Sequence, residues 1–487
     1  MTADQSSSTP SHTMQKRKVA VFFGYVGEHY YGMQFNQTQE HLFPSIEAAL
    51  MSAFFKAGMI SAANYSSEAN RVLPKLGWQR TSRTDKGVHA LVNLVSLKML
   101  LRAGETYPEA VERINVHLPI DIRVYLLRPV TASFNSYMMC MGRTYEYYLP
   151  TFGLMNRDEY DSVLPLEIAP DDPTMVEMCE ETGDNDMSDA EVNGEEPSWG
   201  EEDTAKVKKP RLDDSNTSAC PTSKDSQEVC KSKALTKTNV EGVFCVPQRG
   251  CSTEKMLVFR SIPPVVMAKL SLFRISSKQL DHARHLFRCY EGTKAFHNFT
   301  PGGKSSDPST MRFIVSVEVD DPIVLQLPTG APASLRYPQG LEVVCIRFHG
   351  ASFMLNQIRK MIGCVLSTMA GGIDDAWIRH CLSKSVAVGI PMAPANGLFL
   401  TKLDFRRYNA RLDRIQAEGN NGNGKGAIDV DEVDPQKTDQ MRRQILECIT
   451  RREATEDITG RWMRSMRHVL KLAYGTSLSI FTPGAVR

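Results

Sequence analysis

The chain has 487 residues, of which 42% are hydrophobic and 23% charged, with a formal net charge of +1. That apolar content excludes a collagen-like or wholly disordered chain, and the length suits roughly two to four domains. No run approaches the ~18 consecutive apolar residues of a membrane span, and no apolar segment lies near the N-terminus, so a soluble, unsecreted protein is expected. The near-neutral total hides an asymmetry. Between Asp158 and Asp203 stand eighteen Asp or Glu and no Lys or Arg, which leaves 57 basic against 38 acidic residues, or +19, elsewhere. A basic body is the electrostatic footprint of a nucleic-acid binder.

In chain order, residues 1–16 are rich in Ser and Thr and read as a disordered arm. Val19 to Phe23 is a strand-like run ended by Gly24. After Pro44 and Ser45, the residues Ile46, Ala49, Leu50, Ala53 and Phe54 fall on one helical face, closed by Gly58. Leu91 to Met99 predicts a strand and Pro108 to Ile114 a short helix; Ile122 to Leu126 and Gly142 to Leu149 are further strands. From Met155 to Met256 the chain turns acidic, then mixed Ser, Lys and Asp, with too little apolar surface to offset its ordering entropy; disorder is expected there. Inside it, Lys206-Val207-Lys208-Lys209-Pro210-Arg211 resembles a nuclear localisation signal, so the nucleus is the expected location, with mitochondrion and cytoplasm as alternatives.

Order is expected again in a helix from Ser277 to Tyr290. Met311 to Val319 alternates, with Phe313, Val315, Val317 and Val319 on one face, and Glu342 to Phe348 is another strand. Phe353 to Met369 predicts a helix with Met354, Ile358, Met361, Ile362 and Val365 on one face, stopped at Gly371-Gly372, before a last strand from Gly397 to Phe405. The pattern is α+β: two halves, residues 17–154 and 257–408, separated by the insert at 155–256. A linker, Gly419 to Gly426, lies within the final segment, 409–487. There Arg461, Arg464, Arg467 and Lys471 share a helical face expected to contact RNA phosphates, while Trp462, Met466 and Val469 take a face suited to docking on the body.

The eleven Cys form no C-x-x-C pair and have no partners at zinc-like spacing, so reduced intracellular thiols and no metal are expected. Gly303-Lys304-Ser305 looks like the end of a phosphate-binding P-loop, but Asn298 stands where its first Gly belongs and Pro308 follows where a helix should run; no nucleotide cofactor is expected. Chemistry concentrates instead in the turn Arg80-Thr81-Ser82-Arg83-Thr84-Asp85-Lys86-Gly87-Val88-His89-Ala90. It places one carboxylate among several cations, which favour its ionised form, and Gly87 supplies backbone freedom. Such a carboxylate suits a nucleophile or general base, although an Asx turn with a surface ion pair has the same local pattern. A glycosidase would want a second acid beside Asp85, and none stands out.

The turn resembles the R-T-D-x-G-V-[HS]-A signature around the catalytic aspartate of the TruA-type pseudouridine synthases. Four further stretches agree in order: Tyr31-Gly32-Met33-Gln34, Gly142-Arg143-Thr144-Tyr145-Glu146-Tyr147, Gln357-Ile358-Arg359-Lys360-Met361-Ile362-Gly363 and Pro394-Ala395-Asn396-Gly397-Leu398. Finer similarity, at Phe134-Asn135-Ser136, Leu149-Pro150-Thr151-Phe152 and Tyr290 to Thr300, is to the eukaryotic tRNA pseudouridine synthase 1 subgroup, with His89 standing where that subgroup is expected to have serine. The resemblance implies the pseudouridine synthase fold: two catalytic halves sharing a continuous mixed sheet, the active-site cleft between them, and a helical extension. It implies isomerisation of specific uridines in tRNA, and in other RNAs including mRNA, without a cofactor and by a monomer. It implies Asp85 as nucleophile or base, Arg359 as its partner, Tyr145 stacked on the base and helping remove the C5 proton, and Leu398 as the opposite wall. Arg80, Arg83, Lys86 and Lys360 become the expected substrate contacts. The rival reading keeps the fold in a non-catalytic RNA-binding chaperone, which would have no chemical need of Asp85, Tyr145 and Arg359 together.

Overall fold

The computed structural model describes residues 14–35, 44–65, 69–164, 175–178, 256–259, 262–327, 337–417 and 426–474. The first half comprises β1 (Met14–Tyr25), α1 (Ile46–Lys56), α2 (Ala69–Leu76), β2 (Gln79–Arg80), β3 (His89–Arg102), α3 (Tyr107–Asn115), β4 (Ile122–Pro129), β5 (Gly142–Pro150) and α4 (Arg157–Val163). A strand pair, β6 (Met175–Met178) and β7 (Met256–Phe259), precedes α5 (Pro264–Leu272), α6 (Ser277–Arg288), β8 (Gly292–Ala295), β9 (Met311–Val319), β10 (Ile323–Leu325) and β11 (Leu341–Gly350). Then come α7 (Gln357–Gly371), α8 (Ala376–Cys381), β12 (Leu398–Asp404), α9 (Arg406–Ala417), α10 (Pro435–Glu456) and α11 (Ile458–Tyr474).

Ten strands form one sheet in the order β4-β1-β3-β12-β5-β11-β9-β8, with β2 added to β3 and β10 to β11. Its pairings are antiparallel except β12 with β3. The expected continuous mixed sheet is present, but the halves interlock. Strand β12, late in the chain, lies between β3 and β5 from the first half. Every residue of β5 is buried, as is β1 from Val19 to Tyr25, the mark of strands covered on both faces. Helix α3 packs on β4, α6 on β9, and α10 on β3 and β1.

Two elements differ from the sequence expectations. Pairing between β11 and β9 runs from Ile346↔Val319 to His349↔Ser316, then jumps to Gly350↔Ile314. This bulge at Val315 reverses the inside–outside phase, so Ile314 is buried while Phe313 and Val315 are exposed. Helix α7 begins at Gln357 rather than Phe353, because Asn356 adopts a left-handed conformation with φ 60.

The body also extends beyond the expected boundary at Met155. Helix α4 opens on an Asn156/Glu159 capping box, buries Tyr160, and sends the Tyr160 hydroxyl to the Met463 carbonyl of α11. Asp158, Glu159 and Asp161 of the acidic stretch therefore belong to a packed helix. The expected disorder of residues 165–174 and 179–255 lies outside the described residues, as does that of residues 1–13, while Met14 to Lys16 open β1 instead.

The extension is packed into the body. Ile445 and Ile449 of α10 and Trp462 and Met466 of α11 are buried, so Trp462 and Met466 of the expected docking face are packed, while the Val469 side chain lies outside the described residues. Arg442 pairs with Glu146 of β5 at 2.5 Å, and Arg451 with Glu28 beyond β1 at 2.5 Å. Among the described residues no helix is long and apolar enough to cross a membrane. Deleting residues 179–240 should leave the thermal midpoint within about 2 °C, whereas deleting Asp158 to Asp203 removes most of α4, with Tyr160, and should lower it by about 5 °C or more, read by thermal unfolding.

Candidate active site

The turn carrying Asp85 links β2 to β3 and is pinned along its length. The Thr81 amide donates to the Leu94 carbonyl at 2.9 Å. The Thr81 carbonyl accepts from Arg143 Nε at 3.3 Å and Nη2 at 2.7 Å, and Ser82 Oγ lies 2.6 Å from the Tyr145 hydroxyl. Thr84 Oγ1 lies 2.7 Å from the buried Tyr25 hydroxyl. The Met33 amide donates to the Thr84 carbonyl at 3.1 Å, and Gly32, with φ +104, comes so close that a Cβ would lie 2.8 Å from that oxygen. Gly87, with φ 75, completes the turn by which the Val88 amide donates to the Asp85 carbonyl at 3.2 Å. The Tyr31-Gly32-Met33-Gln34 stretch thus buttresses the aspartate turn.

The second wall comes from α7 and the segment before it. Arg143 Nη1 donates to the Ala351 carbonyl at 2.9 Å, joining that segment to the Asp85 turn. Phe353 meets Tyr145 edge-on with centroids 5.4 Å apart. The left-handed Asn356 turns its backbone N–H to Asp85, and Arg359 lies one turn into the helix. Arg359 Nε donates to the Ala393 carbonyl at 2.8 Å, while the Ala393 amide donates back to the Arg359 carbonyl at 3.0 Å.

The third wall is the segment Pro391 to Gly397, which has neither helix nor strand. The carbonyls of residues 392–397 are satisfied by donors from five elements, counting Arg359 of α7 on Ala393. Met392 accepts from Trp462 Nε1 at 2.8 Å, Pro394 from the Tyr147 hydroxyl at 3.0 Å, and Asn396 from His89 Nε2 at 3.2 Å. The Gly397 carbonyl accepts from the Tyr148 amide at 3.0 Å, and Ala395 from the Leu398 amide at 2.9 Å. His89 Nδ1 accepts the Gly27 amide at 2.9 Å, so its two bonds fix the neutral tautomer with the proton on Nε2. The Asn396 side-chain Nδ2 donates to the Ile449 carbonyl of α10 at 3.1 Å.

Asp85, Tyr145 and Arg359 are brought together as expected, but the electrostatics differ from the sequence reading. Burial is the largest influence on Asp85 and raises its pKa, outweighing the Arg359 charge and the Asn356 N–H that favour the ionised form. Burial also raises the Tyr145 hydroxyl, with Asp85 adding to the rise, so it stands as a neutral phenol at neutral pH. Leu398 is buried opposite Tyr147 on β5, and Leu400 lies opposite Tyr145.

The expected phosphate contacts divide. Arg83 is exposed beside Asp85, and the Lys86 ammonium sits 4.1 Å over the Tyr31 ring. Arg80 is committed elsewhere: Nε and Nη2 donate to the fully buried Glu47 carboxylate at 2.6 and 3.0 Å, alongside Trp78 Nε1 at 2.7 Å. Lys360 donates to the Asn298 carbonyl at 3.3 Å, and burial lowers its pKa. Arg461 is half-buried and lies close enough to Glu453 for its charge to favour the carboxylate, rather than standing wholly in solvent. Arg464 is half-buried on the same helix; the Arg467 and Lys471 side chains lie outside the described residues.

Sequence reasoning missed Arg143, Tyr147 and His89 as the ties between walls; a charged residue inside a strand that reads as core was the signal for Arg143, since a buried guanidinium needs acceptors. It also missed His285, Cys289 and Asp375, whose ligand atoms lie within 4.8 Å of one another. The Asp375 carboxylate is already paired with Arg379 and with His285 Nε2 at 3.0 Å, and the group lies among none of the residues around Asp85. A groove of about 340 Å³ lined by Lys294, Arg379 and Lys384 likewise shares no residue with the Asp85 surroundings, so volume alone does not locate the site.

Residues 286–406, which include Arg359 and Leu398, match the tRNA pseudouridine synthase family. Over 398 residues the chain is 31% identical to tRNA pseudouridine synthase 1 of Yarrowia lipolytica, covering 82% of this chain and 65% of that protein. The corresponding enzyme of Candida albicans is 32% identical over 445 residues, covering 91% and 64%. That of Saccharomyces cerevisiae is 32% identical over 410 residues, covering 82% and 64%. The chain therefore spans a little under two thirds of the length of these relatives.

Two buried groups beneath the third wall titrate in opposite senses. Burial lowers His89 to about 4 and raises Glu453, which accepts the Thr459 amide at 2.9 Å, to about 7. Between pH 6.5 and 4 the unfolded chain protonates His89 and the folded one does not, so acid favours unfolding. Between pH 4.5 and 7 the unfolded chain ionises Glu453 and the folded one does not, so base favours unfolding. The two slopes oppose one another in the whole protein. Glu453→Gln should therefore lose up to about 3 kcal/mol of stability as pH falls from 6.5 to 4, and His89→Asn should lose a similar amount as pH rises from 4.5 to 7, read by denaturant titration.

Proposed function

The chain belongs to the TruA-type pseudouridine synthase family, and from that premise we propose that it isomerises uridines of tRNA to pseudouridine in the cleft around Asp85. The observation that carries the proposal is the convergence of the half-buried Asp85 carboxyl, the Arg359 charge and the Tyr145 phenol from three separate elements onto one site. The reaction breaks the N1–C1′ bond, turns the uracil, joins C5 to C1′ and moves the C5 proton. Nothing is oxidised and no group is exchanged with a second molecule, so side chains suffice in principle.

Asp85 acts in its ionised form, as nucleophile or base at the ribose or uracil. Arg359 stabilises that form and fixes its direction, since the Ala393 carbonyl holds Nε. The neutral Tyr145 ring packs against the uracil, and Leu398 closes the apolar side. The target uridine must leave its stack to bring its glycosidic bond to the half-buried Asp85 carboxyl. Exposed Arg83 and half-buried Lys86 stand beside Asp85, where phosphates would pass. A nuclear location accords with the Lys206 to Arg211 run, and action on further RNAs with the basic remainder of the chain; the enzyme is proposed to act as a monomer.

Asp85→Asn should fold, bind tRNA within about threefold of the unaltered chain and form pseudouridine at least roughly a thousandfold more slowly. The check is release of the C5 proton from labelled tRNA beside a filter-binding measurement. Undiminished turnover would remove Asp85 from the mechanism. If the unaltered chain binds tRNA and forms no pseudouridine, it is the RNA-binding chaperone instead. Because burial raises Asp85, the acid limb of the rate profile should lie above the ordinary carboxylate range.

A further inference from the structure

We propose that Trp462 is a positioning residue for Arg359, holding through the Met392–Ala393 peptide the guanidinium that acts on Asp85. The inference rests on the function proposed above and assigns α11 a part in it. The family match ends at residue 406, well before this helix.

The path is short and continuous. Trp462 Nε1 donates to the Met392 carbonyl at 2.8 Å. The next residue, Ala393, has both backbone groups on Arg359, its amide on the Arg359 carbonyl at 3.0 Å and its carbonyl on Arg359 Nε at 2.8 Å. A shift of the Met392 carbonyl therefore moves the acceptor that aims the guanidinium. Pro391 and Pro394 flank the pair; each lacks an N–H, fixes its own φ and restricts the residue before it. On the other side, Gly363 of α7 lies so close that a Cβ would be 2.0 Å from the Pro391 oxygen. The segment is clamped between α7 and α11 and has little room to adjust alone.

The indole is suited to this role. It is 1% exposed, so without Met392 its N–H would be a buried donor in need of another partner. Its helix is fixed at the adjacent residue, where the Met463 carbonyl accepts the Tyr160 hydroxyl of α4. The groups acting on Asp85 are Arg359, the Asn356 N–H and Tyr145. Of these, Arg359 is the one whose placement depends on the 392–393 peptide.

Trp462→Phe keeps a ring and removes the N–H. In the full-length chain, carboxyl NMR of ¹³C-aspartate-labelled protein should show the Asp85 midpoint rising by about half a pH unit, because a less well-placed Arg359 stabilises the carboxylate less. With tRNA, kcat should fall about fivefold and KM stay within about twofold. Met466→Leu, on the same helix, should leave the Asp85 midpoint unchanged even if it lowers the thermal midpoint. An unchanged midpoint in Trp462→Phe overturns the proposal, as does an equal rise in Met466→Leu. Absence of pseudouridine from the unaltered chain would defeat the proposed function, and the Asp85 titration would still decide whether Trp462 positions Arg359.

Discussion

Buried carbonyl oxygens must accept hydrogen bonds, and in the Pro391 to Gly397 segment no helix or sheet of its own supplies them. The side-chain donors come from β3 (His89), β5 (Tyr147), α7 (Arg359) and α11 (Trp462). The site exists only where these elements meet, because each tie serves the segment and its own element at once. Strand β12 follows the segment directly and enters the sheet between β3 and β5. The same residues that satisfy the segment therefore interlock the two halves of the chain.

Around Asp85 desolvation works against ionisation, and the surrounding structure is arranged to offset it only in part. Arg359 and the Asn356 N–H favour the carboxylate, and burial still prevails. A carboxyl in this balance has a protonation state that responds to small displacements of one guanidinium. Contrast the Glu47–Arg80 pair, where a fully buried carboxylate receives two guanidinium nitrogens and an indole. That arrangement leaves no oxygen free for substrate and ties α1 to β2. Two acid–base pairs a few residues apart thus serve opposite purposes, one holding the turn and the other acting from it.

Much of the site was legible because its chemistry is written in short local runs. Asp85 sits in a turn whose glycine and polar neighbours are contiguous, and Arg359 and Tyr145 each lie within a stretch of seven residues or fewer. Helix α1 was legible from its apolar periodicity and β3 from its apolar run, for the same reason. What failed depended on distant partners. Arg80 and Lys360 look like free cations beside Asp85 and Arg359, but their partners, Glu47 and the Asn298 carbonyl, lie 33 and 62 residues away. The start of α7 is set by Asn356, whose left-handed backbone lets its N–H meet Asp85. The bulge in β9 depends on how β11 lies beside it.

By itself, the order of residues determined the α+β pattern, the acidic stretch within a basic chain, and the presence of one carboxylate, one arginine and one tyrosine in motifs suited to act together. Those properties depend on neighbours along the chain. The tertiary structure decided which cations remain available, how far burial raises Asp85, and that the last two helices are part of the site's support. Each of those is set by solvent exclusion and hydrogen-bond partners brought from far along the chain, and neither quantity is defined until the chain has folded.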